Sequence, residues 1–218
     1  MSKRYTGGFI TAASYNKSYS GIWTEPQQFA IASGNNWPTF YESLTYVGTG
    51  SLTLTGNGTN SVSAFKTGGS AEWGTTQLYC LTPFTAPCTI EYNKLAGATD
   101  NGLSYAMISW NADPTTDGSY TSLDWASYPY VTSGYYVYNN GTGLGPYAAW
   151  DSSKKFYLVY ATDGYIYHYN GSTLLVSYNK GTGGTVYVDS SYYSVSATYS
   201  GFSNIRVTKK AWNGTTYV

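Results

Sequence analysis

The sequence predicts an all-β protein: a two-sheet antiparallel β-sandwich preceded by an extended arm with one short helix. Three observations carry the prediction. From residue 41 onward, apolar residues alternate with polar ones at period two, as in half-buried strands. Gly and Asn punctuate the chain, and Asp-Gly and Asn-Gly pairs supply the positive φ that tight hairpins need. The chain of 218 residues is 18% aromatic and holds 26 Tyr, a residue suited to pleated, half-buried surfaces.

Residues 1–40 form the arm. Thr24-Glu-Pro-Gln27 fits a capping box, with Thr24 as N-cap and Gln27 reaching back from N3. A helix over Glu25–Ser33 follows, with Gly34 as its stop. Before it, the Gly-, Ser- and Tyr-rich segment 5–20 is too polar to fold alone. Strands then follow at Ser51–Thr55, Cys88–Tyr92, Tyr105–Trp110 and Tyr135–Tyr138. The clearest run is Lys155–Ser177. There Phe156–Thr162 and Tyr165–Tyr169 flank Asp163-Gly164, and Asn170-Gly171 reverses the chain again. A two-residue turn would pair Tyr160 with Tyr167 and Leu158 with Tyr169, leaving Val159, Ala161, Ile166 and His168 on the other face. Thr185–Val188 and Asn204–Thr208 complete the series. Roughly ten to fourteen short strands without intervening helices make a sandwich over 41–210. Residues 211–218 remain as a tail, expected to join the arm or a neighbouring subunit. No repeat of 20–50 residues marks a propeller or solenoid.

Charge narrows the function. Eleven Lys and Arg balance eleven Asp and Glu. No basic excess is available to neutralise phosphates, so nucleic acid is not an expected partner. The N-terminal residues lack the apolar core of a signal peptide, and no stretch approaches the ~18 apolar residues of a membrane span. A soluble protein made in a cytoplasm, with no membrane insertion, is expected. Cys80 and Cys88 form no disulfide framework; pairing and free structural thiols both remain open. Asn-x-Ser/Thr sequons stand at Asn16, Asn57, Asn140, Asn170 and Asn213, and all but the first are Asn-Gly turns.

Two groups of residues resemble known families. Gly7-Gly-Phe-Ile-Thr11, Gly21-Ile-Trp-Thr24 and Trp37-Pro38 resemble the N-terminal signature of structural proteins of tailed bacteriophages, marine and cyanobacterial ones especially. The ending Ala211–Val218 is similar to theirs. Phe84-Thr85, Thr89–Tyr92, Phe156–Tyr160, Asp163-Gly164, His168–Gly171 and Val188–Tyr192 resemble the concanavalin-A-like jelly roll, in its laminin-G and SPRY-like branches. The resemblances imply a virion protein, assembled in the host cytoplasm, in which an arm anchored by Phe9, Trp23 and Trp37 carries a lectin-like jelly roll. They imply other tail or capsid proteins as partners and a homotrimer. A tail fibre or receptor-binding module for host surface polysaccharide is the expected role; a head decoration or fibre protein with a purely structural, capsid-binding sandwich is the alternative.

Enzymatic chemistry is not expected. Jelly-roll glucanases set an acid and a nucleophile about 5 Å apart on one strand, whereas Glu91 is alone on its strand. His168 has no carboxylate at an informative spacing, so a packing or surface role is expected. Carbohydrate binding fits better, since sugar faces stack on aromatic rings. The candidates Trp110, Tyr120, Trp125, Tyr128, Tyr130 and Trp150 fall in the densest aromatic stretch, and residues 113–130 are expected to be a loop. Tyr is also a good strand former, so each one can equally be packing. No cofactor is required. Calcium is the one candidate: Asp113, Thr115, Asp117, Ser119 and Asp124 follow a twelve-residue calcium loop with Gly118 at its sixth position. Thr115 and Asp124 stand where Asp or Asn and Glu are usual. An ordinary Asp-Gly turn explains the same residues.

Overall fold

The computed structural model describes residues 39–95, 105–131 and 134–218. The chain divides into two units, Met1–Phe40 and Tyr41–Val218. The expected helix Glu25–Ser33 and the anchoring residues Phe9, Trp23 and Trp37 lie outside the described residues.

The second unit is built from strands β1 (Tyr46–Thr49), β2 (Leu52–Thr55), β3 (Val62–Lys66), β4 (Gln77–Cys80), β5 (Cys88–Asn93), β6 (Ala106–Asn111) and β7 (Ala126–Val131). They continue as β8 (Gly134–Asn139), β9 (Thr142–Leu144), β10 (Phe156–Tyr160), β11 (Tyr165–Asn170), β12 (Thr173–Asn179), β13 (Tyr187–Tyr192) and β14 (Gly201–Thr208). A 3-10 turn at Tyr120–Ser122 is the one helical element among the described residues. Sheet I has the order β1-β4-β13-β6-β7-β8-β9 and sheet II the order β12-β11-β10-β5-β14-β3-β2. Every pairing is antiparallel.

Side chains alternate between the faces of each strand, so each sheet turns one apolar face inward. Ile90, Tyr92, Ile108, Trp110, Val137, Phe156, Leu158, Ile166, Val188 and Phe202 fill the space between the sheets. Both cysteines are buried there as free thiols. The core also holds a hydrogen-bonded polar chain. Tyr92 meets Ser127, Ser127 meets the Tyr135 hydroxyl at 2.6 Å, and that hydroxyl meets His168 Nδ1 at 2.6 Å. Complete burial holds the His168 imidazole neutral, with its pKa pushed down to about 3. The expectation of an ordinary packing residue is met at the very centre of the sandwich.

The β10–β11 register differs from the expected one. Leu158 pairs with His168 and Tyr160 with Ile166. The turn holds Thr162, Asp163 and Gly164, and is closed by Ala161 N–H to Tyr165 O at 3.0 Å and Gly164 N–H to Ala161 O at 3.0 Å. Gly164 takes φ +86°, and a Cβ there would lie 2.7 Å from Gly181 C, so only Gly fits. One more turn residue shifts the register by one and exchanges the faces of β10. Leu158, Tyr160, Ile166 and His168 therefore point inward together, and Val159 and Tyr167 point outward.

Two further expectations are corrected. Residues 113–130 are not all loop, because Ala126–Val131 is a central strand of sheet I. Pro129 lies within it, and the ladder accommodates the missing N–H by a register shift between Pro129 and Val131. The tail 211–218 packs on the outer face of its own sheet II. Trp212 stacks on Tyr157 at 4.4 Å and 12°, and Tyr217 donates to Glu91 Oε2 at 2.8 Å. Glu91, almost fully buried, also accepts from Tyr41 at 2.8 Å and Lys155 Nζ at 2.7 Å, so it is a structural hub.

Candidate functional site

The outer face of sheet I carries the feature of interest. Residues of β7 and β8 that point away from the core are Tyr128, Tyr130, Tyr136 and Tyr138, spaced two apart along each strand. Trp73, Tyr105, Tyr120 and Tyr193 extend the same surface. Tyr128 is its hub, with ring centroids 5.4 Å from Tyr130, 5.5 Å from Tyr138, 6.1 Å from Trp73, 6.2 Å from Tyr105 and 6.3 Å from Tyr136. Tyr120 joins Trp73 at 5.3 Å and Tyr138 at 5.4 Å. Tyr105 stacks on Tyr130 at 4.8 Å, and their hydroxyls hydrogen-bond at 2.9 Å. Met107, Leu123 and Ala126 are buried beneath the rings and fix them from below. Tyr128, Tyr130, Tyr136 and Tyr138 line an open, shallow groove of about 310 Å³. Burial raises the phenol pKa of both Tyr128 and Tyr138, so these hydroxyls stay neutral and can donate or accept hydrogen bonds.

Two loops flank this face. The 67–75 loop carries Trp73 and is tethered by Lys66, whose buried ammonium donates to Glu72 O at 3.1 Å and Thr75 Oγ1 at 3.2 Å. The 112–124 loop carries Tyr120 and lies over a polar floor on β4, β6 and β13. Gln77 Nε2 donates to Pro114 O at 2.9 Å, Asn111 Nδ2 to Asp113 O at 3.0 Å, and Ser191 Oγ to Gly118 O at 2.6 Å. The same two amides donate to Asp189, Gln77 at 2.9 Å and Asn111 at 2.7 Å. Asp189 is fully buried. Desolvation raises its pKa to about 7 against the opposing hydrogen bonds. A bridge between Gly74 and Gly118 ties the two loops together.

The structure divides the expected carbohydrate-binding residues. Tyr120, Tyr128 and Tyr130 come together on the aromatic face. Trp110 does not: it is wholly buried between the sheets, donates from Nε1 to Leu158 O at 2.9 Å and packs on Phe84. Trp150 is likewise buried, against Phe156. Both point inward, and the aromatic density of residues 110–150 does not distinguish the two faces. Trp125 takes a positive φ of 46°, unusual for a bulky residue, and stacks on Tyr178 of β12 at 4.8 Å. It bridges the sheets away from the groove. Trp73, Tyr105, Tyr136, Tyr138 and Tyr193 were missing from the expected set. The alternation of Tyr through 126–138 carries a signal for two of them; Trp73 and Tyr193 arrive by tertiary folding alone.

The loop from Asp113 to Asp124 does not form the expected calcium site. Asp113 Oδ1 accepts from the N–H and hydroxyl of Thr115, which lowers its pKa. Asp117 Oδ1 accepts from Ser119 N–H and Ser122 Oγ at 2.8 Å each. Asp124 accepts from Ala112 N–H and Asn140. Asp113 and Asp117 each close a local turn, Asp124 ties the two ends of the loop and Asn140 together, and no group of three Asp, Glu, His or Cys among the described residues gathers as a metal site. Among the described residues, no helix is long and apolar enough to cross a membrane.

No known protein family and no curated protein matches the sequence. Solved structures do. The lumenal domain of VIP36, in a form bound to Ca²⁺ and Man3GlcNAc, superposes with a TM-score of 0.50 at 10% identity, over 75% of this chain and 83% of that one. The fold is the concanavalin-A-like jelly roll. The SPRY domain of human HERC1 (14% identity, 72% of this chain and 92% of that one) and the PSpry domain of TRIM65 (12%, 82% and 97%) each give a TM-score of 0.48. At such identities the likeness concerns the fold and not the ligand.

Proposed function

We propose that this protein is a non-enzymatic glycan-binding module whose site is the tyrosine-rich outer face of sheet I. The observation that carries this reading is the groove lined by Tyr128, Tyr130, Tyr136 and Tyr138. Rings present flat apolar area at low entropic cost, and their hydroxyls give and take hydrogen bonds, the pairing a sugar ring needs. All four lining side chains are uncharged, which suits a neutral polysaccharide over an acidic one. The groove is open along the sheet, so an extended chain fits better than an enclosed monosaccharide. VIP36 was solved with an oligosaccharide on the same fold, which supports the class of ligand by analogy.

The Gly7–Thr11, Gly21–Thr24 and Trp37-Pro38 motifs support placing the module on a tailed-phage virion, as a homotrimeric tail fibre or receptor-binding protein that holds host polysaccharide. The test is gel retardation by neutral and acidic polysaccharides, with native protein beside Tyr130→Ala and Tyr136→Ala. Retardation by a neutral polymer that both substitutions abolish supports the proposal. Equal mobility in every gel would leave the sandwich a structural, decoration-type module.

A further inference from the structure

Asp189 has a geometry that the binding face alone does not call for. It is fully buried, on the outer side of β13, directly under the 112–124 loop. Its two oxygens accept from Gln77 and Asn111, which also hold the loop carbonyls of Pro114 and Asp113. The carboxylate is therefore the shared anchor of the amides that seat the loop. Its hydrogen-bond donors are all neutral. β4 offers the Gln77 amide and the Tyr79 phenol, which pairs with Asp189 in register, and β6 offers the Asn111 amide and Ser109, its register partner on the other side. The loop contributes Asp117, a like charge whose field opposes ionisation, and β13 itself contributes the Ser190 N–H and the Tyr192 phenol. Ser109 Oγ is buried and makes no hydrogen bond, to Asp189 or to any other described group.

A neutral carboxyl still accepts from the amides and carries no charge into the buried site. An ionised one is a buried charge that no cation among the described residues pairs with, and opening the loop to water relieves that cost. We propose that the 112–124 loop is an acid-stabilised flank of the tyrosine face, seated when Asp189 is neutral and loosened when it ionises. Because the loop delivers Tyr120 onto Trp73 and Tyr138, and is bridged to the Trp73 loop through Gly118 and Gly74, the face is complete in mildly acidic medium and frays toward neutral pH. The consequence for ligand rests on the glycan reading; the pH-dependent seat does not.

The sign follows from linkage. Asp189 has a higher pKa when covered, about 7 against 3.8 for a solvated Asp. Seating is thus fully favoured below the solvated value, weakens as pH rises through the covered one and is constant above it. The limiting slope is about tenfold in the opening equilibrium per pH unit between those values.

The experiment is amide hydrogen exchange on the full chain without ligand, corrected for intrinsic rates, at pH 5, 6, 7 and 8. The reporters are Thr121, Leu123 and Asn140 N–H, with Ile166 N–H as a core control. The expected result is protection that falls by about ten- to a hundredfold from pH 5 to 7 at the loop amides, then levels, with a flat profile in Asp189→Asn. Loop protection equal at pH 5 and 7 in the native chain would overturn the proposal. Carbon-13 titration of the Asp189 carboxyl in the native protein decides the matter should the variant not fold: a midpoint near 7 supports the proposal and one below 5 overturns it. Neither readout uses a polysaccharide, so failure of the gel experiment and failure of the seat are separable.

Discussion

Glu91 gives the sharpest test of how the C-terminal tail belongs to the sandwich. Its Oε2 accepts from Tyr41 and from Tyr217, each at 2.8 Å, while Oε1 pairs with Lys155 and has Arg206 at 3.9 Å. Tyr217→Phe keeps the ring against Tyr157 and Trp212 and deletes one donor to a buried charge. Hydrogen bonds to charged groups contribute about 1.5–3 kcal/mol, so about 2 kcal/mol is expected. At ~2–4 °C per kcal/mol for a domain of this size, Tm should fall by about 4–8 °C. Tyr167→Phe is the control. It deletes the same kind of bond, to Asp163 at 2.6 Å, but on the surface, where solvent replaces it and the loss should stay below about 0.5 kcal/mol. The decisive measurement is the cycle with Tyr41→Phe. Either hydroxyl alone still satisfies Oε2, whereas losing both strands a buried carboxylate oxygen. The double loss should therefore exceed the sum of the single losses by about 1 kcal/mol. Urea titrations followed by circular dichroism give all four corners. Additive losses, or equal losses for Tyr167→Phe and Tyr217→Phe, would refute the buried-hub argument.

Three other outcomes are expected. Stability should vary little between pH 4 and 6.5, because two titrations oppose each other: Asp189, raised to about 7, loses stability as pH rises, and His168, lowered to about 3, loses it as pH falls below the unfolded imidazole value. Asp189→Asn should unmask the His168 slope, a loss approaching ~1.4 kcal/mol per pH unit below pH 6.5 in urea titrations; a flat profile in that variant would show His168 to be protonated in the fold. Melting curves in excess calcium and in chelator should coincide, since the carboxylates of 113–124 are each engaged in separate hydrogen bonds; a rise of several degrees with calcium would show that the loop rearranges around the ion. Gly201→Ala should cost about 3 kcal/mol or more, because its Cβ would sit 2.0 Å from the Ala64 carbonyl in the β3–β14 ladder; a loss under 1 kcal/mol would mean that the strands separate freely at that point.

The sequence by itself determined the class of fold. Period-two alternation, β-rich composition and Gly-centred turns are local properties, and local sterics act on them without knowledge of the rest of the chain. Strands such as Cys88–Asn93 and Phe156–Tyr160 were legible for that reason. β7 was not, because Pro129 reads as a strand breaker until a register shift in the ladder accommodates it. Nor was the β10–β11 register, where one turn residue more than a two-residue hairpin exchanges every side chain between core and surface. The same ambiguity governed the candidate site. Trp110 and Tyr128 fall in the same aromatic-dense stretch of sequence, yet one is sealed between the sheets and the other is the hub of the outer face. Only the tertiary structure decided which face each strand turned inward. It alone brought Trp73 beside Tyr128 and Tyr193 beside Trp73, and placed Asp189 beneath a loop more than sixty residues away in sequence, because side-chain direction and long-range contact are set by register and sheet order and not by local composition.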